Sequence, residues 1–174
     1  MASDVSKKLL EKVTSSQYAL LRSITDAEIL DASGLERAVT SIVRDRFELA
    51  RGFIKAARVL AKSKDPLVRR TAVSRAYYGA YQAARAMFFE IKRHDQDNHE
   101  VLIKELDNLV PGHGAGNTLR ELRYLRNEAD YSPYPVSSPQ TPYDPKRFEG
   151  IIKGSVRRAE ELIRLFQKRL REGR

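Results

Sequence analysis

The sequence predicts an all-α protein: an antiparallel up-and-down bundle of four to five helices with an extra N-terminal helix. Three observations lead there. Apolar residues recur at steps of three and four through long windows, which is the period of one helix face. No stretch of useful length alternates apolar and polar residues as a half-buried strand would, and no repeat period is present. Pro, Gly and Asp punctuate the chain so as to leave helix-length pieces between them.

Ser3 or Asp4 can cap a first helix running to about residue 21, with Val5, Leu9, Val13, Leu20 and Leu21 as a loose stripe. Asp26 is placed to cap a brief second piece and Gly34 to break it. From 35 to about 62 the stripe is long: Leu35, Val39, Ile42, Val43, Phe47, Ala50, Phe53, Ile54, Ala57 and Leu60. Asp65-Pro66 then stops and restarts the chain, because a proline at the first helical position wastes no hydrogen-bond donor. The helix it opens reaches about residue 93 and is expected to bury Ala76, Tyr77, Ala80, Ala84, Met87, Phe88 and Ile91. Its small residues Ala76, Gly79, Ala80, Ala83 and Ala84 let a second helix approach closely.

After a polar loop over 94–98, a shorter helix carries Val101, Leu102, Leu106 and Leu109. The glycine-rich stretch 111–116 reads as a flexible connector, with Asn117 or Thr118 starting the helix of Leu119, Leu122, Leu125 and Ala129. That helix stops by Ser132, because Pro133, Pro135, Pro139 and Pro142 follow as a Pro/Ser-rich surface loop. Asp144-Pro145 open a last helix whose stripe is Phe148, Ile151, Ile152, Val156, Ala159, Leu162, Ile163, Phe166 and Leu170. The division expected is an N-terminal helical extension over 1–33 and the bundle over 34–174.

A chain of 174 residues is long enough for one domain with its own core and no staples. It has no cysteine, so a disulfide framework, a thiolate metal site and a thiol nucleophile are excluded, and a reducing, cytoplasmic location is expected. No segment is apolar for long enough to span a bilayer, so no membrane role is expected. The formal net charge is +9 and the pI about 9.8. A compact basic surface concentrates polyanions, which makes nucleic acid the leading partner class and an acidic protein another.

The charge is clustered. Arg69, Arg70, Arg75, Arg85, Lys92 and Arg93 share one helix with Glu90 alone, and Tyr77, Tyr78 and Tyr81 lie among them. Arginine matches phosphate through its planar fork of donors, and tyrosine rings can stack on bases. On the helix from Thr118, the residues Arg123, Asn127 and Asp130 or Tyr131 fall on one side, and Arg126 and Asp130 are placed to pair. That edge can hold a phosphate, or it can lock one helix to another. Tyr77 and Tyr81 can equally be core residues with wet hydroxyls. The run His94 to His99 fits no standard metal-ligand spacing, and neither a metal nor a cofactor is expected. The glycines of 112–116 lack the following Lys-Ser/Thr of a phosphate loop.

Two segments together carry a resemblance: Ser74-Arg-Ala-Tyr-Tyr-x-Ala-Tyr-x-Ala-Ala-Arg-Ala, and Leu122-Arg-x-x-Arg-x-x-Ala-Asp-Tyr131. They resemble the HEPN superfamily, in particular small prokaryotic members ending in Ala-Asp-Tyr. The resemblance covers roughly 35–131, extends to the last helix, and leaves the region before Gly34 outside. It implies a helical bundle, a homodimer, and a place beside a minimal nucleotidyltransferase in a toxin–antitoxin or defence pair. Many such proteins are metal-independent endoribonucleases, with an Arg, then four to six residues, then a His. The His would take the proton from a ribose 2′-hydroxyl and the Arg would stabilise charge on the phosphorus.

Here Arg126-Asn127 match the start, but the His position five residues on holds Tyr131, with Asp130 and Ser132 on either side. A phenol, with a reference pKa near ~10, is a poor base at neutral pH. The resemblance therefore implies binding of RNA or of a nucleotidyltransferase partner without the standard dyad. The alternatives are an endoribonuclease using Arg126 and His99, which stands where related proteins often show His, and a protein-binding adaptor. The expected binding residues are Arg123, Arg126, Asn127, Asp130 and Tyr131, supported by Tyr78, Tyr81 and Arg85. The expected candidates for catalysis are Arg126, His99 and Tyr131.

Overall fold

The computed structural model describes residues 11, 13–26, 32–135, 137 and 144–173. Among these the chain forms α1 (Ser15–Asp26), α2 (Ala32–Leu60), α3 (Pro66–Lys92), α4 (His99–Leu109), α5 (Ala115–Tyr131) and α6 (Pro145–Glu172), with no strand. The architecture is the all-α bundle with an extra N-terminal helix.

The helix starts follow local chemistry. Asp65 precedes Pro66 and its carboxylate accepts from the backbone N–H of Leu67 at 2.8 Å and of Val68 at 3.4 Å. Asn98 does the same for α4, and Asp144, before Pro145, for α6. Each satisfies donors that the first helical turn leaves without a partner. Arg93 ends α3 with φ +61°, a left-handed cap for a non-glycine residue.

Helix α3 is the hub. It packs against α2, α6, α5 and α4. From Ala72 to Phe89 it is buried on nearly every side, which its many alanines permit by letting neighbours close in. At Gly79 a Cβ would meet Ile54 Cδ1 at 2.9 Å and the Ala50 carbonyl oxygen at 3.1 Å, so α2 crosses α3 where only glycine fits without adjustment. The main core runs from Val13 and Tyr18 of the N-terminal region through α2–α5 to Phe166 of α6. A smaller cluster of Ala72, Val73, Ala129, Phe148 and Ile152 ties the start of α3 to the end of α5 and the start of α6.

Several boundaries differ from expectation. The first described helix starts at Ser15 and runs past Leu21. Thr14 and Gln17 build a capping box there: Thr14 N–H donates to Gln17 Oε1 at 2.9 Å, and Gln17 N–H to Thr14 Oγ1 at 3.4 Å. The expected caps Ser3 and Asp4, with Val5 and Leu9, lie outside the described residues. Asp26 is the last residue of α1, and the brief piece it was expected to cap lies outside the described residues. Gly34 lies in the first turn of α2, where its backbone freedom costs little because the turn's amides lack intrahelical partners anyway. Leu20, Ile91 and Val101 were expected on buried stripes but are 62%, 45% and 41% exposed. Tyr18 takes the buried place on α1. Pro139 and Pro142 fall outside the described residues.

The glycine-rich connector is the largest revision. Helix α5 begins at Ala115, two residues earlier than Asn117, behind a left-handed Gly114 with φ +57°. Gly116 is buried in its first turn and donates its N–H to Asp107 Oδ1 at 2.9 Å. Asp107 thus caps α5 from α4, through a contact that no local spacing announces. A Cβ on Gly116 would sit 2.4 Å from the Ile103 carbonyl oxygen. Gly116→Ala is therefore expected to lower stability by about 1–3 kcal/mol, read as a shift in urea midpoint. Gly150→Ala, on the open surface of α6 with nothing within 4 Å, should raise it by up to about 1 kcal/mol.

Candidate functional site

The end of α5 meets the first half of α3, and Arg126 stands at that junction. Its Nη2 donates to the Tyr78 hydroxyl at 2.8 Å and its Nη1 to Asn127 Oδ1 at 2.8 Å. Its Nε lies 3.0 Å from Asp130 Oδ2. The other Asp130 oxygen accepts a hydrogen bond from Ser74 Oγ. Ser74 and Tyr78 are one turn apart on α3, and Arg126 and Asp130 one turn apart on α5. Two helical ridges thus meet as a four-residue polar lattice.

The guanidinium also lies between two rings, 5.5 Å from the centroid of Tyr78 and 5.3 Å from that of Tyr131. Tyr78 is half-buried, whereas Tyr131 is 72% exposed. Of the five N–H groups of this arginine, one on Nη1 and one on Nη2 are directed to Asn127 and Tyr78, the Nε–H meets Asp130 as an ion pair without a hydrogen-bond angle, and the second hydrogen on each Nη stays undirected. The lattice therefore orients a cation beside an open aromatic face. Next to it a hollow of about 620 Å³ is lined by Leu67, Arg70, Thr71, Asp130, Tyr131 and Pro133. Arg70 closes the end of α5: its Nε donates to the Ala129 carbonyl at 3.0 Å and its Nη2 to that of Ser132. It thereby fixes the last carbonyls of α5 and the entry to the proline-rich segment.

One turn further along α3, the rings form a column with His99. Its Nδ1 shares a hydrogen bond with the Tyr77 hydroxyl, and its ring stacks on Tyr81 with centroids 4.1 Å apart and planes at 14°. The Tyr81 hydroxyl donates to the Asp97 carbonyl at 2.7 Å. Burial, then the neighbouring Arg123, Arg126 and Arg85, hold the His99 imidazole below its ordinary pKa, with Asp97 opposing them. Burial raises the Tyr77 and Tyr81 phenols. At neutral pH this column is uncharged and faces an arginine-rich edge.

The linkage has a definite sign. Because the folded state disfavours imidazolium, the unfolded chain binds the proton first as pH falls below ~6.5. The stability held with neutral His99 is complete above that value and is lost as pH falls through the window to the folded pKa. Urea titrations at about pH 7.5 and about pH 5.5 should show wild type losing more stability than His99→Gln over that interval. Equal losses would remove His99 as the source.

The expected residues thus sort into separate places. Tyr78, Arg126, Asn127, Asp130 and Tyr131 come together. Tyr81 belongs to the His99 column. Arg85 turns away to Asp95, which it contacts through Nη2 and through Nε at 3.2 Å. Arg123 reaches the exposed Glu100 at 3.4 Å. Ser74, Tyr77 and Arg70 were not among the expected binding residues, although Arg70 and Tyr77 stand in the basic, tyrosine-bearing cluster of that helix. Ser74 could have been found from its position one turn before Tyr78, whereas the reach of Arg70 to the end of α5 has no local signature.

Residues 43–170 match the family model described as the HEPN domain. No curated protein and no solved structure matches the chain significantly.

Proposed function

The chain belongs to the HEPN family, and within it we propose that this protein binds single-stranded RNA at the Arg126 junction without the standard ribonuclease dyad. The observation that carries this reading is the Arg126 guanidinium held between Tyr78 and an exposed Tyr131 ring. A phosphate can take the two undirected Nη hydrogens while a base lies on the open face of Tyr131. The +9 net charge favours the encounter with any polyanion. The protein then acts as one member of a toxin–antitoxin or defence-type pair with a minimal nucleotidyltransferase, as a homodimer.

The test is fluorescence anisotropy with a labelled single-stranded RNA across a salt series. Binding that weakens steeply with salt, without cleavage in EDTA, is the expected result. No retention at physiological salt would leave the adaptor reading instead.

One observation favours a second reading, a metal-independent endoribonuclease. Burial, and then Arg123, Arg126 and Arg85, disfavour the charged form of His99, so its imidazole is held below its ordinary pKa beside the Arg126 charge. In the tautomer that carries its proton on Nδ1 and donates it to the Tyr77 oxygen, Nε2 keeps the lone pair a general base needs; in the reverse direction Tyr77 donates and Nε2 holds the proton. Arg126 would then stabilise the phosphorane-like charge. RNA cleavage in EDTA that is abolished both by Arg126→Ala and by His99→Ala would establish this reading over the first.

A further inference from the structure

Away from the Arg126 junction, α2 and α6 run side by side with an open furrow between them. Two hollows make up this furrow. One, of about 540 Å³, is lined by Arg51, Ile54, Lys55, Arg58, Ile163 and Arg164, among others. The other, of about 310 Å³, is lined by Val43, Arg44, Phe47, Leu170 and Arg171, among others. Gln167 borders both, so the two hollows adjoin along the furrow. Contacts pair Arg58 with Glu160 at one end and place Arg44 beside Arg171 at the other, so the two helices are antiparallel.

The arrangement of charge is regular. Arg44, Arg51 and Arg58 are spaced by seven residues on α2, and Arg157, Arg164 and Arg171 by seven on α6. Each directly follows a residue of the buried seam: Val43, Ala50 and Ala57 on one helix, Val156, Ile163 and Leu170 on the other. All six arginines are exposed. Val43, Ile54, Ile163 and Leu170 lie along the floor of the two hollows, with Arg44, Arg51 and Arg58 on one rim and Arg164 and Arg171 on the other, successive arginines about 10 Å apart.

Their neutralisation is incomplete. Arg44 and Arg51 meet acids of their own helix, Arg58 meets Glu160, and Arg157 meets Glu161. Lys55, Arg164 and Arg171 have no ion-pair partner among the described residues.

We propose that the α2–α6 furrow is a docking site for an acidic amphipathic helix of a partner protein. A seven-residue step is what a helix presents to a helix, because residues seven apart return to the same face. Such a partner lays its apolar stripe along the half-buried Leu170 and the aliphatic stems of the rim arginines, above the largely buried Ile54 and Ile163, and sets Glu or Asp against Lys55, Arg164 and Arg171. Single-stranded RNA is the poorer fit. The only aromatic ring in the lining is Phe47, which is 6% exposed, so no stacking platform is offered. This inference does not depend on the Arg126 reading, since the two surfaces share no residue.

The probe is a synthetic helix of about three heptads, with leucine on its seam and glutamate on its flanks, beside a counterpart with lysine flanks. Methyl NMR on the full chain reads Ile54, Ile163 and Leu170. The acidic helix should shift these methyls saturably, and Arg164→Glu with Arg171→Glu should weaken the fitted Kd at least about tenfold. The lysine-flanked helix should leave the spectra unchanged. Added single-stranded RNA should not displace the acidic helix from the furrow. Absent shifts, equal binding by the charge-reversed protein, equal shifts from the lysine-flanked helix, or displacement by RNA would each overturn the proposal. A retained helical circular dichroism spectrum and methyl dispersion show that the reversed variant is folded, and these exposed positions make that the expected outcome.

Discussion

Asp95→Ala should destabilise the fold by about 3–5 kcal/mol, the largest effect expected of any single charge removal in this protein. Asp95 bridges two arginines. Its Oδ1 lies 3.0 Å from Arg46 Nη1, and both of its oxygens take hydrogen bonds from Arg85. It also accepts from the backbone N–H of Gln96 at 2.9 Å. The Arg46 side chain is only 6% exposed, lies 5.0 Å from the centre of the Phe89 ring, and otherwise reaches the Arg85 carbonyl at 3.4 Å. Burial and the neighbouring Arg85 both work against its charge, and Asp95 is the main group sustaining it. Without Asp95 two cations face each other, one of them buried.

The comparison that isolates this cause is Arg46→Met. Methionine fills the same apolar path over Phe89 and leaves Asp95 paired with Arg85, so its cost should be clearly smaller. Urea unfolding of both variants decides the matter. A smaller loss for Asp95→Ala than for Arg46→Met would show that packing of the arginine stem, and not its charge, governs this corner.

Nothing near Asp95 in the sequence signals that role. The run His94 to His99 reads as a polar loop before a helix, and so it is, with Asn98 as its cap. What local reading cannot supply is Arg46, which lies on another helix and appears in its own window as one more charge on an amphipathic face. The same limit explains Gly116 and Asp107. A glycine cluster reads as a loose connector because glycine favours turns, yet one of its glycines is present because α4 passes too close for any side chain. Where an element depends on its own residues, the reading is good. The aspartate–proline starts of α3 and α6 and the small-residue approach at Gly79 are local facts written at the positions where they act. Thr14 and Gln17 also form a local signature, but Ser3 and Asp4 are equally good cap residues by type, and sequence alone does not rank them.

The site is legible in the same uneven way. The four-residue step from Arg126 to Asp130 predicts their pairing, and it is present. That Tyr78 rather than Tyr81 or Arg85 meets Arg126 depends on the rotation of α3 about its axis. Its tightly packed neighbours set that rotation, and residues buried on nearly all sides leave no amphipathic stripe from which to read it. Tyr81 and Arg85 lie one and two turns beyond Tyr78, and by then the polar loop 94–98 has supplied closer partners.

Arg126 itself offers the other large effect. If RNA is bound at this junction, Arg126→Ala should weaken binding at least about tenfold and lower the slope of log affinity against log salt by about one phosphate contact. Arg126→Lys makes the measurement diagnostic. Lysine keeps the positive charge, so a purely electrostatic role predicts near-complete rescue. It cannot reach Tyr78, Asn127 and Asp130 in one plane, nor lie flat between two rings, so a role that depends on the oriented guanidinium predicts little rescue. Tyr131→Ala supplies the complementary arm. It removes the exposed ring while leaving the Tyr78 and Asp130 contacts in place, and should cost affinity without changing the salt slope. Thermal unfolding of each variant separates these effects from damage to the α3–α5 junction, because Arg126→Ala also takes from Asp130 its charged partner. RNA affinity unchanged in both Arg126→Ala and Tyr131→Ala would move the binding surface elsewhere on this basic chain.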